Sequence, residues 1–297
     1  MPATVVSAVP WRATGVAAVL TIALTACGGA GGQPSASQAD PNSTSLPSTG
    51  PQSLEEVRDI FGRVDFDATP ADEDTDPPDP LETGDVTIET MADFLTFVIT
   101  ETDRFWSAAF AAAGLEEPQV RYNWPTAGES VTTGCKQRGS DAFAVTDDDT
   151  ALFCPADDTM YVSQQMAYDL WEHGCSAAAC DENVAGDFAV AYVVGHEMGH
   201  NIEWELNLYA LGLPTWRMEL LADCMSGLWA NRAYYEGLLN AGDVEEAIAT
   251  ADLLGDYYFD DPDHHGTPAE RVDAFNVGWN TGELTECSVY LDDSPIE

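Results

Sequence analysis

Residues 193–207 read VVGHEMGHNIEWELN, a stretch in which His196 and His200 lie four positions apart around Glu197. On a helix this spacing places both imidazoles on one face, one turn apart, where they can bind one metal ion. The preceding run FAVAYVVG is apolar enough for a buried helix. The stretch therefore predicts a buried helix that carries two metal ligands, with Glu197 placed to act on a water molecule beside the ion.

The motif leaves the third ligand open. The metzincin pattern would need glycine at position 203 and histidine at position 206, whereas the chain has Glu203 and Leu206. Glu203 lies a further turn along the helix and Glu205 points to a different face, so we expect neither to bind the ion. The third ligand should come from another helix that crosses this one, as in the gluzincins.

The segment RMELLADCMSGLWANR, residues 217–232, provides such a helix. Glu219 and Asp223 are one turn apart in it and face the same way. Glu219 is the candidate third ligand, and Asp223 is the candidate acceptor for the ring N–H of a ligating histidine. The competing interpretation is an acidic pair on the surface of an amphipathic helix.

The charge of the chain limits the classes of partner that it can bind. Its formal net charge is -42, from 52 acidic and 10 basic residues. Nucleic acid and anionic lipid surfaces would be repelled, so neither is expected as a partner. A highly solvated surface explains this charge, and so would an acidic protein that buffers cations, but the second interpretation leaves the ordered motifs unexplained.

The N-terminus resembles an export signal. Arg12 precedes the apolar run ATGVAAVLTIALTA, which is too short to span a bilayer comfortably and ends at Cys27. The stretch LTAC resembles the bacterial lipobox, so residues 1–26 are predicted to be a cleaved signal peptide and Cys27 the lipidated residue. An ordinary secretory signal cut nearby is the alternative. Either predicts a mature protein outside the cytoplasm, and the first anchors it by lipid alone to the extracytoplasmic face of the membrane.

Six cysteines follow Cys27. An even number in an exported chain favours disulfides over free thiols. The alternative for Cys224 is a buried free thiol. Proximity in sequence suggests the pairs Cys135 with Cys154, Cys175 with Cys180, and, by remainder, Cys224 with Cys287.

Composition and periodicity divide the chain into three parts. Residues 27–84 are predicted to be a flexible linker, rich in Gly, Ser and Pro and then in acid, with one possible short helix at SLEEVRDIF where Ser53 and Glu56 form a capping box. Residues 85–297 are predicted to fold as one α+β domain, mainly helical with a small antiparallel sheet between Val120 and Ser163. The predicted helical regions lie near residues 91–110, 187–209, 215–239, 244–254 and 268–278.

Three motifs occur in a fixed order: VVGHEMGHNI, MELLADCMSGLWAN and HHGTPAERVDAFNVGW. Together they resemble the bacterial putative neutral zinc metallopeptidase family. The resemblance implies a compact gluzincin-like metallopeptidase domain that acts on a peptide or protein substrate, with zinc held by His196, His200 and Glu219. Asn201 departs from the family, whose members often have a further histidine directly after the first motif.

These features predict a membrane-anchored zinc metalloendopeptidase with Glu197 as general base. An oxyanion donor is needed opposite the metal, and we expect His265 in this role, with His264 as the competing candidate. His173, in a predicted loop, receives no role. With no second ligand cluster foreseen, one zinc ion per chain is expected. The alternative is a catalytically inactive zinc-binding lipoprotein that acts as a scaffold or binding module.

Overall fold

The computed structural model describes residues 50–64, 66, 87–137, 140–176, 180–181 and 184–292. The predicted signal peptide, Cys27 and most of the predicted linker lie outside these residues. Among the helices of the described part, none is both long enough and apolar enough to cross a membrane.

The described residues form a mainly helical α+β fold, as predicted. The predicted helical regions are present, but the region predicted at 187–209 is divided into two helices. One further α-helix and a C-terminal 3-10 helix were not foreseen. The α-helices are α1 (Leu54–Phe61), α2 (Met91–Ala113), α3 (Gln164–His173), α4 (Asp187–Glu205), α5 (Leu208–Leu211), α6 (Thr215–Tyr235), α7 (Asp243–Leu253) and α8 (Pro268–Thr281), and the 3-10 helix is Leu284–Leu291.

Helix α4 lies at the centre of the fold, because residues 187–203 are all buried. A helix that is hydrophobic on nearly all sides must be surrounded by other elements. Helix α6 crosses it closely: a Cβ on Gly199 would lie 2.8 Å from the Cα of Ala222. The missing side chain at Gly199 therefore lets α6 approach near enough to present Glu219 to the histidines of α4.

Helix α8 also packs closely against α6, again at a glycine. A Cβ on Gly278 would lie 1.9 Å from the carbonyl oxygen of Cys224. The helix begins with a full capping box, in which Thr267 and Glu270 each accept a backbone N–H of the other. Buried Arg271 projects from its first turns towards α4 and α6.

The strands are β1 (Arg121–Asn123), β2 (Thr132–Lys136), β3 (Phe143–Val145), β4 (Ala151–Cys154) and β5 (Thr159–Val162). They form a three-stranded sheet in the order β1-β5-β4 and a separate β2-β3 pair. The predicted antiparallel pairing holds for β4 with β5 and for β2 with β3, but β1 runs parallel to β5. The chain between β1 and β5 is long enough for this crossover, because it contains the other three strands.

Two further details correct the sequence analysis. His173 is the last residue of α3, followed by Gly174 in the left-handed conformation, rather than part of a loop. In α1 only half of the capping box forms: Ser53 accepts the N–H of Glu56, but the Glu56 carboxylate accepts from Gln52 instead of Ser53. Helix α1 nevertheless packs into the core, with Val57 and Phe61 fully buried.

The cysteines pair as proximity in the sequence suggests. Cys224 of α6 is therefore bonded to Cys287 of the 3-10 helix, which leaves no free thiol at that position. The three bonds are Cys135–Cys154, Cys175–Cys180 and Cys224–Cys287.

Candidate metal centre

The structure brings His196, His200 and Glu219 together in the core. One potential ligand atom from each lies within 4.8 Å of the other two, and all three residues are buried. The Nε2 atom of His196 is 3.2 Å from Glu219 Oε2, and that of His200 is 3.6 Å from Glu219 Oε1. Both imidazoles thus present the same ring nitrogen to one carboxylate.

Asp223 fixes the orientation of His196. Its Oδ1 lies 2.8 Å from His196 Nδ1, which leaves the Nε2 side of the ring facing Glu219. Arg271 binds this carboxylate with two N–H groups, at 2.8 Å to Oδ2 and 2.9 Å to Oδ1. The Tyr192 hydroxyl donates to Asp223 Oδ1 at 2.5 Å. The carboxylate is therefore held from three directions.

Glu203 plays the matching role for His200. Its Oε2 lies 2.8 Å from His200 Nδ1, on the ring nitrogen that faces away from Glu219. Glu203 therefore lies outside the ligand group, as the helix geometry predicted. Its contact with the ring of His200 was not predicted. Glu205 faces elsewhere and accepts the backbone N–H of Gln119 at 3.0 Å.

Glu197 is the buried acid of the motif. The backbone N–H of Phe153 in β4 donates to its Oε2 at 2.7 Å, so the sheet fixes the position of one oxygen. Its other oxygen, Oε1, is buried and accepts no hydrogen bond from the described residues. Burial raises the pKa of Glu197, while the neighbouring imidazoles oppose that rise.

The charges around Glu219 favour its ionised form. Burial alone would raise its pKa, but attraction to His200 and His265 outweighs burial and holds the pKa well below its usual value. Burial would also raise the pKa of Asp223, but the Arg271 guanidinium and His196 outweigh burial and lower it to about 2. Both acids of α6 are thus carboxylates at neutral pH.

His264 and His265 share one acid in the loop before α8. His264 Nδ1 contacts Asp256 Oδ1, and His265 Nδ1 lies 3.1 Å from Asp256 Oδ2. The ring of His264 packs against Phe259, at the edge of the molecule where three aromatic side chains are exposed. Only His265 of the pair is among the charges that shift the pKa of Glu219. Of the two histidines, His265 is therefore the one near enough to Glu219 to affect its charge.

A mostly apolar cavity adjoins the centre. Its wall includes His196 and Glu197 on one side and side chains of α3, β4 and the loop after α7 on the other. The apolar residues that line it are Ala151, Met166, Leu170, Val193 and Leu254.

Tyr192 and Arg271 are buried residues of the centre that the sequence analysis missed. Tyr192 lies one helical turn before His196 and so shares its face, a signal available from spacing alone. Arg271 is one of only 10 basic residues and lies inside the third motif, two signals that could have drawn attention to it. Its partner Asp223 is 48 residues away in sequence, however, so no local pattern could join them.

The donor set fits zinc. Two imidazole nitrogens and one carboxylate are ligands that zinc takes in three-ligand sites with an open position. Both histidines have a carboxylate on the second ring nitrogen, as metal-binding histidines usually do. Asn201, the departure from the family pattern, donates to the carbonyl of Gln119 at 2.9 Å and is not part of the ligand group.

The geometry defines a class of protein: helical metalloproteins in which an H-E-x-x-H helix and a glutamate from a second helix enclose one site. Comparison of the sequence agrees, because residues 71–211 and 213–290 match the family described as "Putative neutral zinc metallopeptidase". The match covers most of the chain, and the chain belongs to this family.

Similar curated proteins carry no functional name. The chain is 28% identical over 224 residues to "Uncharacterized protein YpfJ" of Escherichia coli (strain K12), covering 67% of this chain and 71% of that protein. It is 29% identical over 189 residues to "Uncharacterized protein Rv2575" of Mycobacterium tuberculosis (strain ATCC 25618 / H37Rv), covering 54% of this chain and 59% of that protein. No solved structure gives a significant match.

Proposed function

We propose that this chain is a zinc-dependent endopeptidase in which His196, His200 and Glu219 hold the ion. The observation that carries the proposal is the convergence of these three buried side chains with Glu197, whose Oε1 lacks a protein partner among the described residues. Zinc bound there would supply a Lewis acid for the scissile carbonyl and lower the pKa of a water molecule.

The residues of the chain have separate tasks in this mechanism. The Phe153 N–H holds Oε2 of Glu197, so the free Oε1 is the atom that takes a proton from the attacking water. The same carboxylic acid then delivers that proton to the leaving amine. Asp223 and Glu203 hold the two imidazoles in one orientation throughout.

The contrasting candidate is a zinc-binding scaffold without activity. Its ligands would be the same, but it would have no use for a buried carboxylic acid beside them. Burying the Glu197 carboxylate costs free energy and raises its pKa, and groups perturbed in this way cluster at functional sites. The intact acid and the adjoining apolar cavity therefore favour catalysis.

The test is the Glu197→Gln variant, measured with a quenched peptide library and by zinc analysis. We expect hydrolysis to fall by about 100-fold or more while zinc content stays equal to that of the parent, because the carboxylate moves a proton and is not a ligand. A chelator should abolish the parent's activity. Unchanged hydrolysis by the variant would refute the mechanism, and no hydrolysis by the parent would favour the scaffold.

We also propose His265 as the donor to the oxyanion that forms on the substrate. Its support is its position: it contributes to the charge around Glu219, whereas His264 faces Phe259. His265→Ala should lower turnover by roughly 100-fold with zinc retained. A loss of that size in His264→Ala and not in His265→Ala would reverse the assignment.

For location, we propose a lipid anchor on Cys27 at the extracytoplasmic face of a bacterial membrane. The support is the sequence LTAC after an apolar run, together with a net charge of -42 that disfavours direct binding to anionic lipid. Cys27→Ser should move the protein from the membrane fraction to the soluble fraction. Membrane association that persists in this variant would contradict the anchor.

A further inference from the structure

A second group of potential ligands lies at the start of α4, although the sequence predicted none beyond the zinc group. Asp187 is the first residue of α4, and Asp243 and Glu246 lie in the first turn of α7. One carboxylate oxygen from each lies within 4.8 Å of the other two. His196 is nine residues further along α4, which places it about 13 Å from Asp187 along the helix axis. The two groups are therefore separate.

Hydrogen bonds within the protein satisfy only some of the carboxylate oxygens of this group. The Phe188 N–H donates to Glu246 Oε2 at 3.1 Å, so this acid also caps α4 from outside the helix. The Asn240 N–H donates to Asp243 Oδ2 at 2.6 Å. Asp187 is different: the residue is only 3% exposed, and its Oδ2 accepts no hydrogen bond within the described residues. A buried carboxylate oxygen without a partner is costly, so it points to a missing ligand.

No basic side chain in the described part of the chain offsets these charges. Within the described part of the chain, no lysine, arginine or histidine forms a salt bridge with any of the three acids. Burial and repulsion from Asp243 raise the pKa of Asp187 to about 6, and burial with repulsion from Asp187 raises that of Glu246 to about 7. Either a bound cation or shared protons must therefore neutralise the negative charge of the three carboxylates.

The chemistry of the group selects a hard cation. All three candidate donors are carboxylate oxygens, which suit Ca²⁺ or Mg²⁺ better than zinc. Oxygens that bind one Ca²⁺ at 2.3–2.6 Å lie at most about 5 Å apart, which the 4.8 Å limit of this group satisfies. Half-buried Glu246 leaves one side open, where water can complete the coordination.

We propose that Asp187, Asp243 and Glu246 bind one hard divalent cation, of which Ca²⁺ is the best fit. The cation joins the first turn of α4 to the first turn of α7. Because α4 also carries His196, Glu197 and His200, the site stabilises the start of the helix on which the zinc ligands stand. Gly186 is part of the arrangement, since a Cβ there would lie 2.0 Å from Glu246 Oε2 and displace that acid.

Calorimetric titration of the zinc-loaded protein with Ca²⁺ tests the proposal, at high ionic strength to suppress binding by the acidic surface. The parent should bind one Ca²⁺ and unfold at a temperature higher by on the order of 5 °C when Ca²⁺ is present. Asp187→Asn should bind it at least about tenfold more weakly. Glu245→Gln is the matched control, because it removes the same charge from an exposed position next to the group. It should bind as the parent does.

A second variant keeps the test decisive if Asp187→Asn does not fold. Glu246→Gln retains an oxygen that can accept the Phe188 N–H, so α4 stays capped while the cation loses a charged ligand. Equal Ca²⁺ binding in the parent and in the folded variants would overturn the proposal. So would a parent that binds neither Ca²⁺ nor Mg²⁺, since the acids would then be balanced by protons. Neither outcome depends on peptidase activity.

Discussion

At the scale of single residues, the two histidines of the candidate metal centre are held by different kinds of partner. Asp223, on His196, is tied to Arg271 and Tyr192, whereas Glu203, on His200, has an Oε1 that is buried without a hydrogen-bond partner among the described residues. Burial raises the pKa of Glu203 to about 7, against the attraction of His200. His196 therefore has the more rigid support.

Zinc affinity should distinguish Glu219, the proposed ligand, from Glu203, the acid that orients His200. Glu219→Gln should weaken zinc binding by roughly 100-fold or more, because a charged ligand is lost. Glu203→Gln should weaken it by about tenfold, because the amide oxygen can still accept from His200. Competition with a chelator of known zinc affinity measures both changes.

Glu205→Gln serves as the control for this comparison. It removes a charge from the same helix, but its carboxylate binds the Gln119 backbone and not a histidine. Zinc affinity in this variant should equal that of the parent. A larger loss in Glu203→Gln than in Glu219→Gln would show that the ligand assignment is wrong.

Single residues also mark the limit of sequence reasoning at the site. His196, His200 and Glu219 could be predicted, because the helical period fixes which side chains share a face. Asp223 could be predicted for the same reason. Arg271 and Phe153 could not, because their contacts join segments that are distant in the chain and depend on how the helices and the sheet pack.

At the scale of elements, the centre depends on three helices and one strand. Helices α4 and α6 carry the candidate ligands, α8 supplies Arg271, and β4 holds Glu197 through a backbone N–H. The buried pair of Arg271 and Asp223 joins α8 to α6. Both side chains are fully buried, so neither charge can be solvated if the other is removed.

Arg271→Met should therefore lower the free energy of unfolding by about 3–5 kcal/mol, since it leaves the Asp223 charge buried and unpaired. Denaturant unfolding of the zinc-free protein measures this change. Arg232→Met is the matched control, because Arg232 pairs with Glu236 near the surface and its loss should cost less than about 1 kcal/mol. Equal stability of the two variants would contradict the structural role of Arg271.

The elements themselves were predictable in part. The long helices were found because their apolar residues recur at helical spacing over several turns. Helix α3 was missed because it follows β5 after a single residue, Ser163, and its 10 residues are few for a periodic signal. The parallel pairing of β1 with β5 could not be predicted from strands of three and four residues, because their direction is set by what they pack against.

At the scale of the whole molecule, the net charge and the disulfide Cys224–Cys287 have opposite effects on the stability of the fold. A net charge of -42 destabilises the compact state through repulsion, and ten basic residues offset little of it. The disulfide Cys224–Cys287 counters this by joining the helix that carries Glu219 to the C-terminal 3-10 helix. That 3-10 helix packs against α1, α6 and α8, so the bond ties the centre to both ends of the described chain.

The last prediction concerns that bond. It closes a loop of 63 residues, which in the chain-entropy model stabilises the fold by roughly 4 kcal/mol. The Cys224→Ala, Cys287→Ala double variant should therefore release zinc and lose activity at a lower temperature than the parent. Removing the Cys175–Cys180 bond, which spans only 5 residues, is the control and should lower that temperature by about half as much. Metal release during heating, followed with a zinc indicator, measures both. If the first variant retains zinc to the same temperature as the parent, the bond does not hold the centre together.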